Sequence, residues 1–358
     1  MVGQFRSFAI RHNSFRGAGK ACSQRCPVPP NESNEKRRIR NMAMANEKGI
    51  ILVAPHRFPN LNRERALAES LGREIVVAED QASFRSRMAD AEVVMVTPYA
   101  KMTADEFALL RRCKAVVRYG VGYDNIDVAA ASRVGVPVTI VPDTASEEVA
   151  SHALAMGLSL ARRIPQGQAA IRSGEWAGVI GLDAPKLSNL QVGVVGMGRI
   201  GRLVANWWAA IGAKVHAYDP MATFSNVPAA TLKQVLEESD VVSLHLPLSE
   251  QTRHLISADV LERMRRNAVV VNVSRGGLID EDALAAALSA GKIAGAGLDT
   301  FAQEPLSPSH PLREAPNTVF TPHVAWRSNT SLDALQEQAV ERARRALSGE
   351  ALPDLVTA

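Results

Sequence analysis

Residues 190–219 read LQVGVVGMGRIGRLVANWWAAIGAKVHAYD, and this stretch decides the fold. A buried-strand run is followed by the pattern G-x-G-x-x-G, at Gly196, Gly198 and Gly201, and then by a helical segment that ends before Gly212. Glycines in this setting permit a tight turn, a close backbone approach to a pyrophosphate and close helix–strand packing. The free N–H groups at the start of such a helix attract phosphate. The stretch therefore predicts a dinucleotide-binding βαβ unit.

An acidic residue follows at the position that distinguishes NAD from NADP. Asp219 stands 23 residues after Gly196, at the end of the next strand candidate. A carboxylate there hydrogen-bonds the ribose 2′-hydroxyl and repels a 2′-phosphate, so NAD is the predicted cofactor. The residues of this unit predicted to contact the cofactor are Gly196, Gly198, Arg199, Ile200, Gly201 and Asp219.

Short apolar runs alternate with helical segments along the rest of the chain. Before this unit the strand candidates are Ile50–Val53, Glu74–Val77, Val93–Val96, Ala115–Tyr119 and Pro137–Ile140. From the unit onward they are Gln191–Val195, Lys214–Tyr218, Val241–Leu246, Ala268–Val273, Ile293–Leu298 and Thr318–Thr321. Such alternation is typical of parallel sheets with helices on both faces. We therefore predict an α/β protein with two doubly wound parallel-sheet domains.

The last helical segment, 331–347, is too short to form a domain of its own. We expect it to return to the first domain, which is then discontinuous in sequence. The prediction is a flavodoxin-like substrate domain at 46–143, completed by 324–358, and an inserted Rossmann NAD-binding domain at 144–323.

The charge of the chain is divided unevenly. Residues 1–45 hold nine Lys or Arg and two acidic residues, a net charge of +7, whereas the rest carries −3. The folded body therefore lacks the basic surface of a nucleic-acid-binding protein. No run of 18 apolar residues is free of charge, which excludes a membrane span.

Residues 1–45 show neither helical nor strand periodicity. We interpret them as a disordered or mis-annotated tail, with translation starting at Met42 or Met44. A transit peptide and a basic arm for anionic surfaces are the alternatives. Of the three cysteines, Cys22 and Cys26 could supply only half of a zinc site. We therefore predict that the protein has neither a metal site nor a disulfide. We also predict that it is located in the reducing cytoplasm.

Three later segments, 271–277, 297–305 and 321–326, lie where the last strands end. Ligands bind at the carboxyl ends of strands in open α/β sheets. These segments bring Arg275, Glu304 and His323 to one rim. Each side chain alone is also consistent with a structural role.

Together these segments resemble the D-isomer-specific 2-hydroxyacid dehydrogenase family, from about Ile50 to Leu352. The sequence VRYGVGYDNID at 117–127 is similar to the substrate-carboxylate loop of the family, and SLHLPL at 243–248 to its cofactor-facing loop. The sequence PHVAW at 322–326, together with GEALP at 349–353, is most similar to the branch of the C-terminal-binding-protein corepressors and their bacterial relatives.

The resemblance implies hydride transfer between NAD(H) and C2 of a small 2-oxo or D-2-hydroxy acid. His323 would be the proton donor, Glu304 its carboxylate partner, and Arg275 the fork that binds the substrate oxygens. Backbone N–H groups of Gly120, Val121 and Gly122 would bind the carboxylate. The further implied cofactor contacts are His245, Leu246, Pro247, Thr252, Val273, Ser274, Arg275, Asp299 and His323.

Two aromatic residues are predicted to line the substrate side chain. Trp326 would form an apolar wall that favours apolar or thioether side chains, with Tyr99 opposite it. The alternative for Trp326 is a structural plug between the domains.

Two other functions remain open at this point. One is an NAD(H)-sensing, corepressor-like binding protein with incidental turnover, and the other is a formate- or phosphite-type dehydrogenase. We also expect a homodimer that pairs through the Ala-rich helical stretch at 146–176.

Overall fold

The computed structural model describes residues 49–181 and 184–357. The predictions for the tail, with Cys22 and Cys26, lie outside the described residues. Within residues 49–181 and 184–357, no helix is both long enough and apolar enough to cross a membrane.

The first sheet is built around three strands that are buried at every residue, Ile50–Val53, Ala91–Val96 and Ala115–Arg118. Its strands are β1 (Ile50–Val53), β2 (Glu74–Val77), β3 (Ala91–Val96), β4 (Ala115–Arg118), β5 (Val138–Ile140) and β12 (Leu355–Val356). The order is β12-β5-β4-β3-β1-β2, and all pairs except β12–β5 are parallel. The first five strands thus have the flavodoxin-like order 2-1-3-4-5. The antiparallel sixth strand departs from the prediction of five parallel strands.

Helices cover both faces of the first sheet. They are α1 (Asn62–Ser70), α2 (Gln81–Ser86), α3 (Ala104–Leu109), α4 (Val128–Arg133) and, from the C-terminal part of the chain, α11 (Ser331–Ser348). The stripe of Leu335, Ala339 and Ala343 on α11 packs into the apolar cluster beneath β1, β3 and β4. The C-terminal segment of the chain therefore lies on the first sheet.

The second sheet is wholly parallel among its named strands. They are β6 (Gln191–Val195), β7 (Lys214–Tyr218), β8 (Val241–Leu244), β9 (Val269–Asn272), β10 (Gly295–Leu298) and β11 (Thr318–Phe320), in the order β11-β10-β9-β8-β6-β7. A single parallel bridge joins Ala217 to Ala229 on the free side of β7. This bridge stands where the third strand of the dinucleotide-binding order 3-2-1-4-5-6 would lie. Strand β8 therefore takes the fourth position of that order.

The helices of this part are α5 (Ser146–Ala161), α6 (Ile164–Ser173), α7 (Arg199–Ala210), α8 (Leu232–Glu238), α9 (Ala258–Arg263) and α10 (Glu281–Ser289). Helices α5 and α7 contribute to one apolar cluster, in which Trp208 is fully buried. Helices α8, α9 and α10 contribute to the cluster on the opposite face. The loops that follow the parallel strands are thereby collected at one edge of each sheet.

Candidate active site

The glycine loop is shaped by two close approaches. Gly196 has a φ of 95°, and a Cβ added there would lie 2.3 Å from the carbonyl oxygen of His245. A Cβ on Gly201 would lie 1.9 Å from the carbonyl oxygen of Gly196. A Cβ on Gly198, by contrast, would meet nothing within 4 Å. The turn therefore leaves open space beside the N-terminus of α7, where a pyrophosphate fits.

Three of the residues predicted to contact the cofactor have side chains that pack into the apolar clusters of the second sheet. The Ile200 side chain packs into the cluster of α5 and α7, Val273 is buried in the same cluster, and Leu246 packs into the cluster on the opposite face. Arg199 is exposed at the start of α7.

Asp219 lies at the end of β7 and faces the glycine loop. Its Oδ2 accepts the N–H of Met197 at 2.7 Å, and its Oδ1 accepts the N–H groups of Met221 and Ala222 at 2.8 and 2.9 Å. Burial raises the pKa of Asp219, but these hydrogen bonds outweigh it and lower the pKa. The residue thus presents a charged carboxylate where a ribose hydroxyl would lie.

The loop after β8 lies against the glycine loop at His245. The imidazole Nε2 of His245 lies 2.8 Å from Ser243 Oγ, whereas its buried Nδ1 has no partner among the described residues. Burial lowers the pKa of His245 to about 3, so the ring is neutral at physiological pH. Thr252 Oγ1 donates to the carbonyl oxygen of Pro247 at 2.8 Å and accepts the N–H of Ser249. Thr252 therefore fixes the shape of the loop.

Arg275 reaches from the second sheet to the first. Its Nε donates to Asp124 Oδ2 at 2.5 Å and its Nη1 to the carbonyl oxygen of Ser274 at 2.7 Å. Its Nη2 occupies the place of a side chain on Gly122, since a Cβ there would lie 1.3 Å away. The buried Asn272 braces this loop by donating to the carbonyl oxygen of Arg275 and accepting the N–H of Ser274.

His323 and Glu304 form a direct pair. The imidazole Nδ1 lies 2.7 Å from Glu304 Oε2, and the side chains are 35% and 36% exposed. Glu304 Oε1 also accepts the N–H of Phe301 at 3.0 Å. Burial raises the pKa of Glu304, but the hydrogen bond and charge of His323, the N–H of Phe301 and the charge of Arg275 lower it overall. The carboxylate is therefore available to orient the imidazole.

Asp299, predicted to face the nicotinamide, is 1% exposed and bonded to the protein. Its Oδ1 accepts the N–H of Val324 and its Oδ2 the N–H of Ala325, both at 2.9 Å. Its main-chain oxygen accepts the N–H of His323 at 2.8 Å. In this structure Asp299 holds the segment that carries His323.

The predicted carboxylate loop lies between two arginines. Gly120 has a φ of 117°, a conformation that L side chains rarely adopt, and a Cβ there would lie 3.4 Å from Arg118 Nη1. Arg118 is 6% exposed and donates to the carbonyl oxygen of Tyr119. Burial and then the charge of Arg275 lower the pKa of Arg118 to about 9. Two cationic side chains thus make the loop from Gly120 to Gly122 attractive to an anion.

The two aromatic residues predicted to face each other are placed differently. Tyr99 is exposed, with the guanidinium carbon of Arg57 5.8 Å from its ring centre. Trp326 is half-buried against the apolar cluster of α1 and α11, with Arg327 5.6 Å from its ring centre. No ring contact joins Tyr99 to Trp326 among the described residues. The apolar wall therefore stays a prediction, and the structural plug gains support from packing.

Sequence reasoning missed four residues that shape the site, namely Arg118, Asp124, Asn125 and Asn272. Asn125 Nδ2 donates to the carbonyl oxygens of Thr97 and Ala100 and so fixes the loop that carries Tyr99. Asp124 and Asn125 lie within the quoted substrate-loop motif, so the motif was a signal for them. Arg118 lies in the same motif and Asn272 in the segment 271–277, but neither was assigned a role there.

The chain is similar in sequence and in fold to known proteins. The family model "D-isomer specific 2-hydroxyacid dehydrogenase, NAD binding domain" matches residues 154–325. A glyoxylate reductase of Korarchaeum cryptofilum is 38% identical over 283 residues, which are 76% of this chain and 84% of that protein. A D-3-phosphoglycerate dehydrogenase of Mycobacterium tuberculosis is 36% identical over 312 residues, which are 86% of this chain but only 58% of that protein.

A solved structure shows the same architecture. The D-lactate dehydrogenase of Aquifex aeolicus, complexed with NAD and lactic acid, matches with a TM-score of 0.77 at 28% identity, over 84% of this chain and 96% of that one. These relatives do not bear on the corepressor-like branch, which stays a prediction. Sequence, fold and relatives agree on one assignment: the chain belongs to the D-isomer-specific 2-hydroxyacid dehydrogenase family of NAD-dependent oxidoreductases.

Proposed function

We propose that this protein reduces a small 2-oxo acid to the D-2-hydroxy acid with NADH, and catalyses the reverse reaction when NAD is in excess. The observation that carries the proposal is the pairing of His323 with Glu304 at 2.7 Å on the rim from which Arg275 reaches the substrate loop. A proton donor and a carboxylate-binding cation are both required by this reaction.

The cofactor is held by residues of the second sheet. The open space beside Gly198 and the N-terminus of α7 suits the pyrophosphate, and the charged Asp219 suits the ribose hydroxyls. The nicotinamide supplies the hydride, which is the part of the chemistry that no side chain can perform. Neutral His245 and the loop fixed by Thr252 shape the wall of this pocket.

The substrate is oriented by its carboxylate. The N–H groups of Gly120, Val121 and Gly122 offer consecutive donors, and Arg275 offers a planar fork against Gly122. Arg275 already shares its Nε with Asp124, which limits the orientations of the guanidinium. We infer that orienting the carboxylate in this way directs the adjacent carbonyl toward His323.

His323 transfers the proton. During reduction the carbonyl oxygen gains negative charge, and an imidazolium at that oxygen neutralises it by donating its proton. Glu304 accepts a hydrogen bond from Nδ1, so the other ring nitrogen, Nε2, is the one that faces the substrate. In the oxidative direction the same nitrogen accepts the proton.

The test is a panel of 2-oxo acids with NADH, measured by cofactor oxidation. We expect turnover with at least one of glyoxylate, pyruvate, 2-oxobutyrate, a thioether 2-oxo acid and 3-phosphohydroxypyruvate. Tight NADH binding without turnover on any of them would overturn the proposal and favour the sensor alternative. Phosphite and formate, tested with NAD, cover the remaining alternative.

We propose the domain bounds 46–143 with 324–358, and 144–323, and a cytoplasmic location, as predicted from the sequence. We also propose a homodimer that pairs through α5, α6 and the following segment. Ile164, Ile171 and Trp176 are all exposed there, and exposed apolar patches mark contact surfaces. Sedimentation of the full chain, with Trp176→Ser as the disrupting variant, tests the dimer.

A further inference from the structure

A chain of hydrogen bonds leads from helix α5 to the segment that carries His323. His152 Nε2 lies 2.9 Å from Thr321 Oγ1, and Thr321 Oγ1 lies 2.5 Å from Asp299 Oδ1. Both Asp299 oxygens already accept main-chain N–H groups, as an ionised carboxylate does, so Thr321 is the donor to Asp299. The only hydrogen of the hydroxyl is then used, and His152 must donate its Nε2–H to Thr321.

Asp299, at the far end of this series of hydrogen bonds, holds the backbone of His323. His323 has a backbone φ of 55°, which is uncommon for a residue other than glycine. Such conformations persist only where the surroundings over-determine them. Here the main-chain and side-chain oxygens of Asp299 accept three successive N–H groups, those of His323, Val324 and Ala325. Anything that moves Asp299 therefore moves His323.

His152 lies on helix α5 and is not one of the residues assigned to the reaction. Its side chain is about one quarter exposed, and its Nε2 lies 3.9 Å from Asp299 Oδ1. Glu148, one turn earlier on α5, accepts the hydroxyl of Ser328 at 2.7 Å. Helix α5 thus holds the segment 321–328 at two points, with His152 at the point nearer to His323.

We propose that His152 is a positioning residue for the reduction. Through Thr321 and Asp299 it fixes the main chain of His323, and so the place from which the imidazole donates its proton. The inference rests on the proposed function. Loss of the Nε2–H leaves the Thr321 oxygen without its donor and frees its hydroxyl to turn away from Asp299. A misplacement of about 1 Å in a catalytic group costs on the order of 100-fold in rate.

The first test varies the donor at His152. His152→Phe keeps a ring but removes the donor, whereas His152→Gln places an amide N–H near the position of Nε2. We expect kcat to fall roughly 10- to 100-fold in the Phe variant. The KM for the 2-oxo acid and the Kd for NADH should stay within about twofold, and Gln should restore most of kcat. Ser151→Ala, at an exposed position of the same helix, is the matched control.

The second test varies the hydroxyl and asks whether the residues act as one unit. Thr321→Val should reproduce the loss, and Thr321→Ser should not. The double variant His152→Phe/Thr321→Val should be no slower than the slower single variant. Additive losses, a His152→Phe variant that keeps kcat within twofold, or a Gln variant as poor as Phe would each overturn the proposal.

A readout without turnover separates this inference from the proposed function. The ¹⁵N-imidazole signals of His323, assigned by their loss in His323→Ala, report its pairing with Glu304. They should change in His152→Phe and return in His152→Gln even if no tested 2-oxo acid is reduced. Unchanged signals in the Phe variant would contradict the positioning role, whereas failure of the wild type to reduce any substrate would contradict only the proposed function.

Discussion

The two rims that form the site are built differently. On the rim of the second sheet, His323, Glu304 and Asp299 each make hydrogen bonds to other protein groups. On the rim of the first sheet, Tyr99 and Val121 are 59% and 54% exposed. The groups assigned to the chemistry are therefore held in place, whereas part of the surface assigned to the substrate is open.

This difference indicates how the two rims divide their tasks. Proton transfer needs a fixed donor, because its rate depends steeply on geometry. Recognition of a substrate side chain can rest on surface loops, which tolerate change without loss of the fold. Substitutions on the second rim should therefore damage every substrate alike, and substitutions on the first rim should change the ranking of substrates.

The largest effect is expected at the proton donor. His323→Ala should lower kcat by about 10²–10⁴-fold for every 2-oxo acid, because the developing alkoxide loses its proton source. The Kd for NADH, measured by fluorescence titration, should be nearly unchanged. Turnover near that of the wild type would show that the proton comes from elsewhere.

Arg275 joins the two rims, so its loss should affect binding and rate together. Arg275→Ala removes the contact with Asp124 and the fork against Gly122, and should lower kcat/KM by about 10²–10³-fold through both kcat and KM. Arg275→Lys keeps the charge but not the planar fork, and should recover only part of the activity. A loss confined to KM would limit Arg275 to substrate binding.

Glu304 should control the pH range. In Glu304→Gln the imidazolium of His323 loses its carboxylate partner, so the upper pH limit of reduction, read from kcat/KM profiles, should move down. Because the pKa of Glu304 is lowered in the folded protein, the carboxylate contributes stability above its ordinary pKa of roughly 4.3. That contribution is lost as the pH falls through the lowered pKa. Melting temperatures at acid pH should therefore fall more steeply in the wild type than in the variant, and superimposable profiles would contradict the pairing.

Asp219 lies on the second rim and is the residue predicted to bind the cofactor ribose, so it should affect cofactor choice and leave substrate ranking alone. Asp219→Ser should weaken NADH relative to NADPH by about tenfold, because a charged hydrogen-bond partner is lost. Its bond to Met197 suggests an accompanying loosening of the glycine loop. An unchanged ratio of the two Kd values would remove Asp219 from cofactor discrimination.

The smallest effect is expected at Trp326. If it forms the wall of the substrate pocket, Trp326→Ala should change relative kcat/KM among pyruvate, 2-oxobutyrate and a thioether 2-oxo acid by up to about tenfold. An equal change for all three would identify it as a structural plug, as its packing against the α1 and α11 cluster indicates. Oxaloacetate as the best wild-type substrate would reject an apolar pocket, in keeping with Arg57 beside Tyr99.

Much of the fold was predictable because its signals are local. The eleven sequence-predicted strands are short runs rich in apolar residues, and each corresponds to a strand of the described structure. By contrast, β12 is two residues long with an exposed Leu355, and only its pairing with Thr139 and Val138 defines it. The bridge from Ala217 to Ala229 likewise has no periodicity, which is why it was not among the predicted strands.

For the site, the residue types could be predicted but their contacts could not. The motif around Arg275 pointed to the residue, but Asp124 lies 151 positions away in sequence, and their contact exists only after both sheets have formed. Asp299 was expected at the nicotinamide, but its role toward Val324 and Ala325 depends on the turn at His323. Asn272 and His152 act through neighbours, which a motif does not reveal.

The most direct test of the central claim is the stoichiometry and handedness of the reaction. The full chain is incubated with NADH and the best 2-oxo acid of the panel other than glyoxylate, whose product is achiral, and the hydroxy acid formed is resolved by chiral chromatography. We predict one D-2-hydroxy acid for each NADH consumed, with both quantities reduced in parallel in His323→Ala. NADH consumption without hydroxy acid, or formation of the L-isomer, would contradict the account.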